Sequence, residues 1–320
     1  MRYVLQGLFV LFCAALLSLS NWPVNDVTRP LLLSLLYFPR WPLALGLLLL
    51  LVVIAYRRPW WLTLFNTLLL ALSLTVFLEI KLSASQAIAS QRPAAVTILS
   101  LNMGGPTDTQ KLQRMVETYD VDVMAFQETS EQEISGLFPA PWQTHCVSRL
   151  CTVSRWPLRY QGSGERNQAL DGWGRFVAFY QLGADKPVQL ANVHLETPRK
   201  ALNHILRADV SHIDVMLNTN ERQRQAQQVA HFLGSDTPGL AAGDFNMVRL
   251  SPLYSAELGH YNNSLALAGR GLAHTKLTSY HGVTIDHVIH NDKLQTHSAA
   301  VLENLGGDHN PIIARLTHTP

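Results

Sequence analysis

Three apolar runs dominate the first 82 residues: VLQGLFVLFCAALLSLS from Val4 to Ser20, WPLALGLLLLLVVIAY from Trp41 to Tyr56, and WLTLFNTLLLALSLTVFL from Trp61 to Leu78. LLLSLLYF stands just before the second. Each run is apolar round nearly its whole helical circumference, which a soluble helix with one wet face does not need. Each approaches the roughly 20 residues that cross a bilayer, the first two falling a little short. The pattern predicts about three transmembrane helices within 1–82. The first run also fits a cleaved signal peptide, because Ser18 and Ser20 are small. Two further runs behind it favour an uncleaved anchor. The polar stretch SASQAIASQRPA then reads as a linker over 83–95.

Beyond it the pattern changes. AVTILSLNM, VDVMAFQE, LCTVSRWPL, GRFVAFYQL and PVQLANVHLE read as strands, as do GLAAGDFN, VTIDHVIH, THSAAVLE and PIIARLTH. Between them, DTQKLQRMVETY places Leu112, Met115 and Val116 at helical spacing, and NERQRQAQQVAHFLG is a helix stopped by Gly234. This alternation predicts an α/β or α+β domain built on sheets over 96–318.

Charge separates the same two parts. Residues 1–82 hold six basic and two acidic groups of the chain's 25 and 23, leaving 19 and 21 for the remainder, a net charge near −2. Arg2, Arg57 and Arg58 place the N-terminus and the second loop on the cytoplasmic side, although Arg29 and Arg40 oppose this. With three spans, everything after Lys81 lies outside the cytoplasm. Cys146 and Cys151, in HCVSRLC, can face each other across a tight hairpin; they form a disulfide in an oxidising compartment or remain two free thiols.

Candidate chemistry sits at strand ends. Asn102, Glu128, His194, Asp244 with Asn246, and Asp286 each close or carry a strand-like run, and the turn GGDHNP supplies Asp308 and His309. One such residue is an ordinary turn signal. Several together predict a single polar site at one edge of the sheets. His287 faces the opposite side of its strand by period two and is left out. Carboxylate and amide oxygens suit Mg²⁺ or Mn²⁺, whereas Zn²⁺ recruits several His or Cys. HExxH, CxxC and the P-loop pattern are absent. What remains is metal-assisted hydrolysis of a phosphoester, with a His handling a proton or the phosphate.

The ordered set LSLN, QE, NVHL, GDFN, IDHV and DHNP resembles the endonuclease/exonuclease/phosphatase superfamily from Val96 to about Leu316. That superfamily includes DNase I, Mg²⁺-dependent abasic-site endonucleases, inositol polyphosphate 5-phosphatases and neutral sphingomyelinases. The resemblance implies a four-layer α/β sandwich, two packed sheets flanked by helices. It implies Glu128 as main metal ligand, Asn102 orienting Glu128 or the metal's water, and Asp308 beside the metal. Asp244 would orient or deprotonate the attacking water, and Asn246 would hydrogen-bond phosphoryl oxygens. His194 would donate to a non-bridging oxygen. His309 would act at the phosphate with Asp286 on its other ring nitrogen. The three-span anchor is similar to that of membrane-attached bacterial members.

Ser130 departs from this pattern, since DNase I-like members carry an Arg two residues beyond the metal Glu. The near-neutral charge also weighs against a protein that grips long nucleic acid. The expectation is a multi-pass protein of a bacterial inner membrane with a catalytic domain outside the cytoplasm. It would cleave phosphodiesters with Mg²⁺ or Mn²⁺, nucleic acid first. A phospholipid or sphingolipid headgroup and an inositol phosphate are the alternatives. A non-catalytic membrane binding module is the competing class. The sequence makes no strong case for a protein partner. Substrate choice would fall to the strip Arg149, Arg155, Arg159, Arg166 and Arg175, to Trp173 as a stacking surface, and to TPRKALNHILRADVSHIDVMLNTN as a lip or membrane contact.

Overall fold

The alternation read from Ala95 onward becomes two six-stranded mixed sheets in the computed structural model, which describes residues 2–56, 58–82, 95–168, 174–183, 187–209, 213–234 and 236–319. The predicted linker and Trp173 lie outside these residues. One sheet runs in the order Leu294–Val301, Ile312–His318, Val96–Asn102, Val123–Gln127, Leu150–Ser154, Gln143–Val147. The other runs Asn262–Asn263, Asp286–His290, Gly239–Asp244, Val188–His194, Arg175–Leu182, Leu158–Glu165. Each sheet has one parallel pair at its centre: Val96–Asn102 beside Val123–Gln127, and Val188–His194 beside Gly239–Asp244.

The sheets pack face to face through alternating inward residues. Ile98, Val123 and Ala125 of one meet Leu190, Leu240, Ala242 and Val288 of the other. Helix Thr109–Thr118 covers the first sheet, laying Leu112, Met115 and Val116 on it, and is N-capped by Asp108, which accepts from the Lys111 amide at 2.9 Å. Helix Ile213–Leu233 covers the second with Ala226, Val229 and Leu233. Two sheets between two helical layers make the α/β sandwich.

Two boundaries differ from the sequence reading. LCTVSRWPL divides: Leu150–Ser154 belongs to one sheet, and the strand beginning at Leu158 to the other. The Ser154 hydroxyl accepts from the Trp156 amide at 3.0 Å in the intervening turn. The long helix begins at Ile213 rather than Asn220, because Val215 buries against the N-terminal helices.

Those helices are Arg2–Leu17, Thr28–Tyr37, Trp41–Ala55 and Trp60–Phe77. Among the described residues, Trp60–Phe77 alone is long and apolar enough by itself to cross a membrane. Arg2–Leu17 and Trp41–Ala55 have 16 and 15 residues, which rise only about 24 and 22 Å against a hydrocarbon core of about 30 Å. Thr28–Tyr37 and Trp41–Ala55 meet at a 92° bend, where Pro39 and Arg40 interrupt the apolar run. Thus the three apolar runs expected to span become one full-length helix, one bent pair and one shorter helix. Gln6 and Asn66 exchange amide hydrogen bonds of 2.7 and 3.0 Å between the first and last of these helices. Leu45, Leu48, Leu49, Val52, Leu64, Phe65, Leu68 and Leu72 remain exposed. Thr28–Tyr37 docks on the sandwich, its Leu32, Leu33 and Leu36 clustering with Ala201, Val215, Val248 and Leu250.

Candidate active site

The central parallel pairs end at the same edge, and their last inward residues meet there. Asn102 aligns with Gln127, His194 with Asp244, and Asp286 with Asp244 across the antiparallel neighbour. Val96, Ile98 and Asn102 share one face of their strand, as do Leu240, Ala242 and Asp244 of theirs. Period two therefore carries each core face directly into a polar end. His287 faces the other way and is buried, with Nε2 2.7 Å from the Met247 carbonyl oxygen.

Glu128 leaves its strand with φ +57° and Asn246 has φ +49°, the sparsely populated left-handed region for residues with a Cβ. Both kinks turn side chains toward the cleft. The Arg149 guanidinium donates to the Glu128 backbone carbonyl. At Gly104 a Cβ would lie 2.3 Å from Glu128 Oε2, so a glycine makes room for that carboxylate. Gly243, at φ +147°, permits Val193 O to lie where its Cβ would be, 1.9 Å away, and so closes the strands that present His194 and Asp244.

Asn102 ties the two halves together. Its Nδ2 donates to Glu128 Oε1 at 3.0 Å and to Asp244 Oδ2 at 3.1 Å. Its Oδ1 accepts from the Gly104 amide at 2.9 Å, which fixes the amide's orientation. Asp244 Oδ1 accepts from the Asn246 amide at 2.8 Å, and Asn246 Nδ2 donates to the Leu195 carbonyl at 2.9 Å. His194 Nε2 lies 3.5 Å from Glu128 Oε1 and 3.8 Å from Asp244 Oδ2. His309 Nε2 lies 3.7 Å from Asp244 Oδ2, while its Nδ1 is 2.9 Å from Asp286 Oδ2. Asp286 is held from behind, where its amide and that of Ile285 both donate to Thr275 Oγ1 at 3.0 Å.

Asp308 sits at the rim, half exposed, and accepts from Lys276 Nζ at 2.6 Å. The same ammonium is 2.8 Å from His309 Nε2. Sequence reasoning missed Lys276. A lone Lys in TKL carries no signal, and its place follows from a backbone bridge to His309. Gly104 was missed too, whereas Arg199 stands near the start of the stretch read as a lip or membrane contact and lines the cleft. Of the arginine strip, Arg149, Arg166 and Arg175 line the cleft. Arg155 instead pairs with Asp120 at 2.5 Å.

Burial and charge set the protonation states. Burial would lower the His309 pKa, but the charge and hydrogen bond of Asp286, with Asp244 beyond, override it and hold it at about 9. Burial, then the like charge of Asp286, raises Asp244 to about 7. Burial, with Arg166 next, drives His194 well below its ordinary value and keeps it neutral. Burial works to raise Asp308, but its bond to Lys276 prevails and lowers it.

Asp244, Asp286 and His309 offer ligand atoms within 4.8 Å of one another. His309 is withdrawn from that trio, since Asp286 occupies its Nδ1 and its protonated ring has no lone pair to offer. The oxygens of Glu128 and Asp244, joined through Asn102, are a better seat for a hard divalent cation. Glu128, His194, Asp244, Asn246 and His309 floor a cleft of about 530 Å³ walled by Arg149, Arg166, Arg175, Arg199 and Lys276, with Asn102 and Asp286 buried behind them.

The profile of the Endonuclease/Exonuclease/phosphatase family matches residues 99–309. The chain belongs to this family. Members are phosphoester hydrolases, typically Mg²⁺-dependent, and this chain is an enzyme of that class. An endonuclease/exonuclease/phosphatase from Bacteroides vulgatus superposes with TM-score 0.53 at 14% identity, covering 70% of this chain and 99% of its own. Humanized D. rerio TDP2 carrying 14 mutations gives 0.53 at 16%, covering 69% and 98%. The family protein from Beutenbergia cavernae gives 0.50 at 14%, covering 70% and 71%. At such identities the likeness is one of fold. No curated protein matches the chain.

Proposed function

We propose that the family domain, residues 96–318, hydrolyses phosphodiesters with Mg²⁺, Mn²⁺ serving in its place, and that residues 1–82 hold it at a bacterial inner membrane, facing away from the cytoplasm. The observation that carries the catalytic part is the convergence of Asn102, Glu128, His194, Asp244, Asn246, Asp286 and His309 at one cleft floor or directly behind it. Glu128 and Asp244, steadied by Asn102 and with Asp308 at the rim, would hold the cation. When bound, it neutralises charge on the phosphoryl group. Asp244 orients and deprotonates the attacking water. Protonated His309, held by Asp286, stabilises the charge that develops on phosphorus-bound oxygen. Neutral His194 and the Asn246 amide hold non-bridging oxygens.

Nucleic acid is the first substrate reading, because Arg149, Arg175 and Arg199 can meet phosphates flanking the scissile one. A lipid headgroup or inositol phosphate is the second. It is favoured by Arg199, which lines the cleft from a helix, Arg199–Leu206, that packs on the N-terminal helices. The exposed apolar flank of those helices supports membrane attachment. The Cys146–Cys151 disulfide supports an oxidising compartment.

Full-length protein in detergent, given Mg²⁺ with plasmid DNA, phospholipid vesicles or inositol phosphates in parallel, tests this. Turnover of DNA alone removes the lipid reading, and turnover of vesicles alone removes the nuclease reading. No turnover in any assay by folded, metal-binding protein revives the non-catalytic membrane module.

A further inference from the structure

Asn246 sits in the left-handed region with its side chain and amide committed to the cleft. Its backbone carbonyl enters a buried cluster that belongs to neither sheet. There it accepts from the Tyr37 hydroxyl at 2.9 Å and from the Arg222 guanidinium at 2.8 Å. Arg222 also donates to the Tyr37 hydroxyl and lies over the Tyr37 ring, 5.3 Å from its centroid. Arg222 is 1% exposed, no carboxylate pairs with it among the described residues, and its Nε finds no partner. A buried guanidinium in such surroundings is costly. Packing alone does not account for it, since an apolar side chain would fill the space without that cost. The Tyr37 end is held in turn, its carbonyl oxygen lying 3.0 Å from His281 Nε2.

Tyr37 is the last residue of helix Thr28–Tyr37, so the N-terminal helical region reaches within one residue's backbone of the catalytic carboxylate. We infer that this region completes the active site: Tyr37 and Arg222 are positioning residues that hold the Asn246 carbonyl, and thereby the Asn246 amide that orients Asp244. The inference rests on the assignment of Asp244 and Asn246 to the reaction. On this account the helices are more than an anchor. Loss of the Tyr37 hydroxyl frees the Asn246–Met247 peptide, lets Asn246 leave its left-handed φ of +49° and so turns the preceding Phe245–Asn246 amide away from Asp244, without altering the arginines that bind substrate.

The test uses the full chain in detergent with Mn²⁺ and bis(p-nitrophenyl) phosphate. Tyr37→Phe is expected to lower kcat about three- to tenfold, the scale of one hydrogen bond, with KM within about twofold, and to lower the melting temperature by a few degrees as Arg222 loses a partner, so kcat is read well below both melting transitions. Arg222→Lys is expected to lower kcat comparably. The double variant should lose less than the product of the two, because both donors serve one acceptor. Wild-type kcat in Tyr37→Phe, beside an inactive Asp244→Asn, overturns the inference and leaves the site assignment standing. A kcat loss that appears only near the lowered melting temperature and vanishes where both proteins are fully folded overturns it as well, reducing the pair to a folding contact. An active Asp244→Asn, or no turnover by the parent protein, removes the site assignment and this inference with it.

Discussion

At the scale of single residues the site turns on charges that burial makes expensive. His309 remains protonated to about pH 9 because Asp286 outweighs desolvation. Asp286→Asn removes that charge and keeps the shape. Burial then dominates, and the His309 pKa falls below about 6.5. If protonated His309 is the competent form, the alkaline limb of the kcat profile moves from near 9 to below about 7 in Asp286→Asn. At pH 7 the protonated fraction, and kcat with it, falls at least about fourfold, and about tenfold more for each further unit by which the pKa drops. A profile with the same alkaline limb in both proteins removes His309 from that role. Stability follows the same groups. The folded pKa of His309 lies above its unfolded value, so its contribution is complete below about pH 6.5 and is lost as pH rises through about 9. Asp244, raised from 3.8 to about 7, costs nothing when protonated and opposes folding increasingly as pH climbs between those values. The metal-free protein is therefore expected to lose stability from pH 4 toward 9. A cation that binds ionised Asp244 offsets part of this loss. Scanning calorimetry should show a larger rise in melting temperature on adding Mn²⁺ at pH 8 than at pH 5.5; equal rises contradict a metal seat at Asp244. Asp244, His194 and Asp286 were readable in the sequence because period two makes a polar residue at the end of a core face conspicuous. Lys276 and Arg222 were not, because partners 33 and 24 residues away define them.

At the scale of elements, the hairpin of Gln143–Val147 and Leu150–Ser154 shows how an edge strand serves a central site. Its turn carries Ser148 and Arg149 into the cleft, and Arg149 grips the Glu128 carbonyl. The Cys146–Cys151 bridge clamps the hairpin just behind that turn. The spacing in HCVSRLC allowed that pairing but left two free thiols open beside it, and the destination of Arg149 was not legible at all. Ser130, where an Arg was expected, caps a short helix instead: its hydroxyl and amide both meet Glu133 Oε2, at 3.0 and 2.8 Å. The cation at this corner comes from the hairpin. Replacing both cysteines by serine is expected to cost about 2 kcal/mol of stability for so short a loop. Because the turn loosens around Arg149, KM for a polyanionic substrate should rise about three- to tenfold, more than kcat falls. Steady-state kinetics of the double variant beside Arg149→Ala decides this. If Arg149→Ala raises KM and the cysteine variant does not, the bridge stabilises the edge strand without aiming the arginine.

At the scale of the whole molecule, the division seen in the charge pattern has a spatial counterpart. The remainder beyond residue 82 is near −2 in net charge, yet its cleft gathers five cations against three carboxylates, Glu128, Glu196 and Asp244, of which Glu196 pairs with Arg166. Field focusing thus attracts a polyanion without a basic surface overall. The helices lie against the sandwich on the side of Arg199 and Tyr37, so a bilayer that took up their exposed flank, as proposed, would stand in a fixed relation to the cleft. Trp60–Phe77 is the element that decides orientation. Arg58 precedes it and Lys81 follows it, and no charged residue interrupts it. On the proposed attachment, a spanning Trp60–Phe77 with Arg58 on the cytoplasmic face, as positive charge favours, would bring the sandwich out on the opposite side. The disulfide belongs there too, since reducing cytoplasm would keep Cys146 and Cys151 as thiols. A single exposed thiol distinguishes the two orientations, because Cys13 is buried and the other cysteines are bridged. Glu131 is exposed on the sandwich. A Glu131→Cys protein in intact cells, with the outer envelope opened, should react with a membrane-impermeant maleimide before lysis. The protein should also stay in the membrane fraction through alkaline carbonate. Labelling only after lysis would put the catalytic cleft in the cytoplasm and make the disulfide an oxidation of isolated protein. Release by carbonate would make the apolar helices a surface for a partner rather than for lipid.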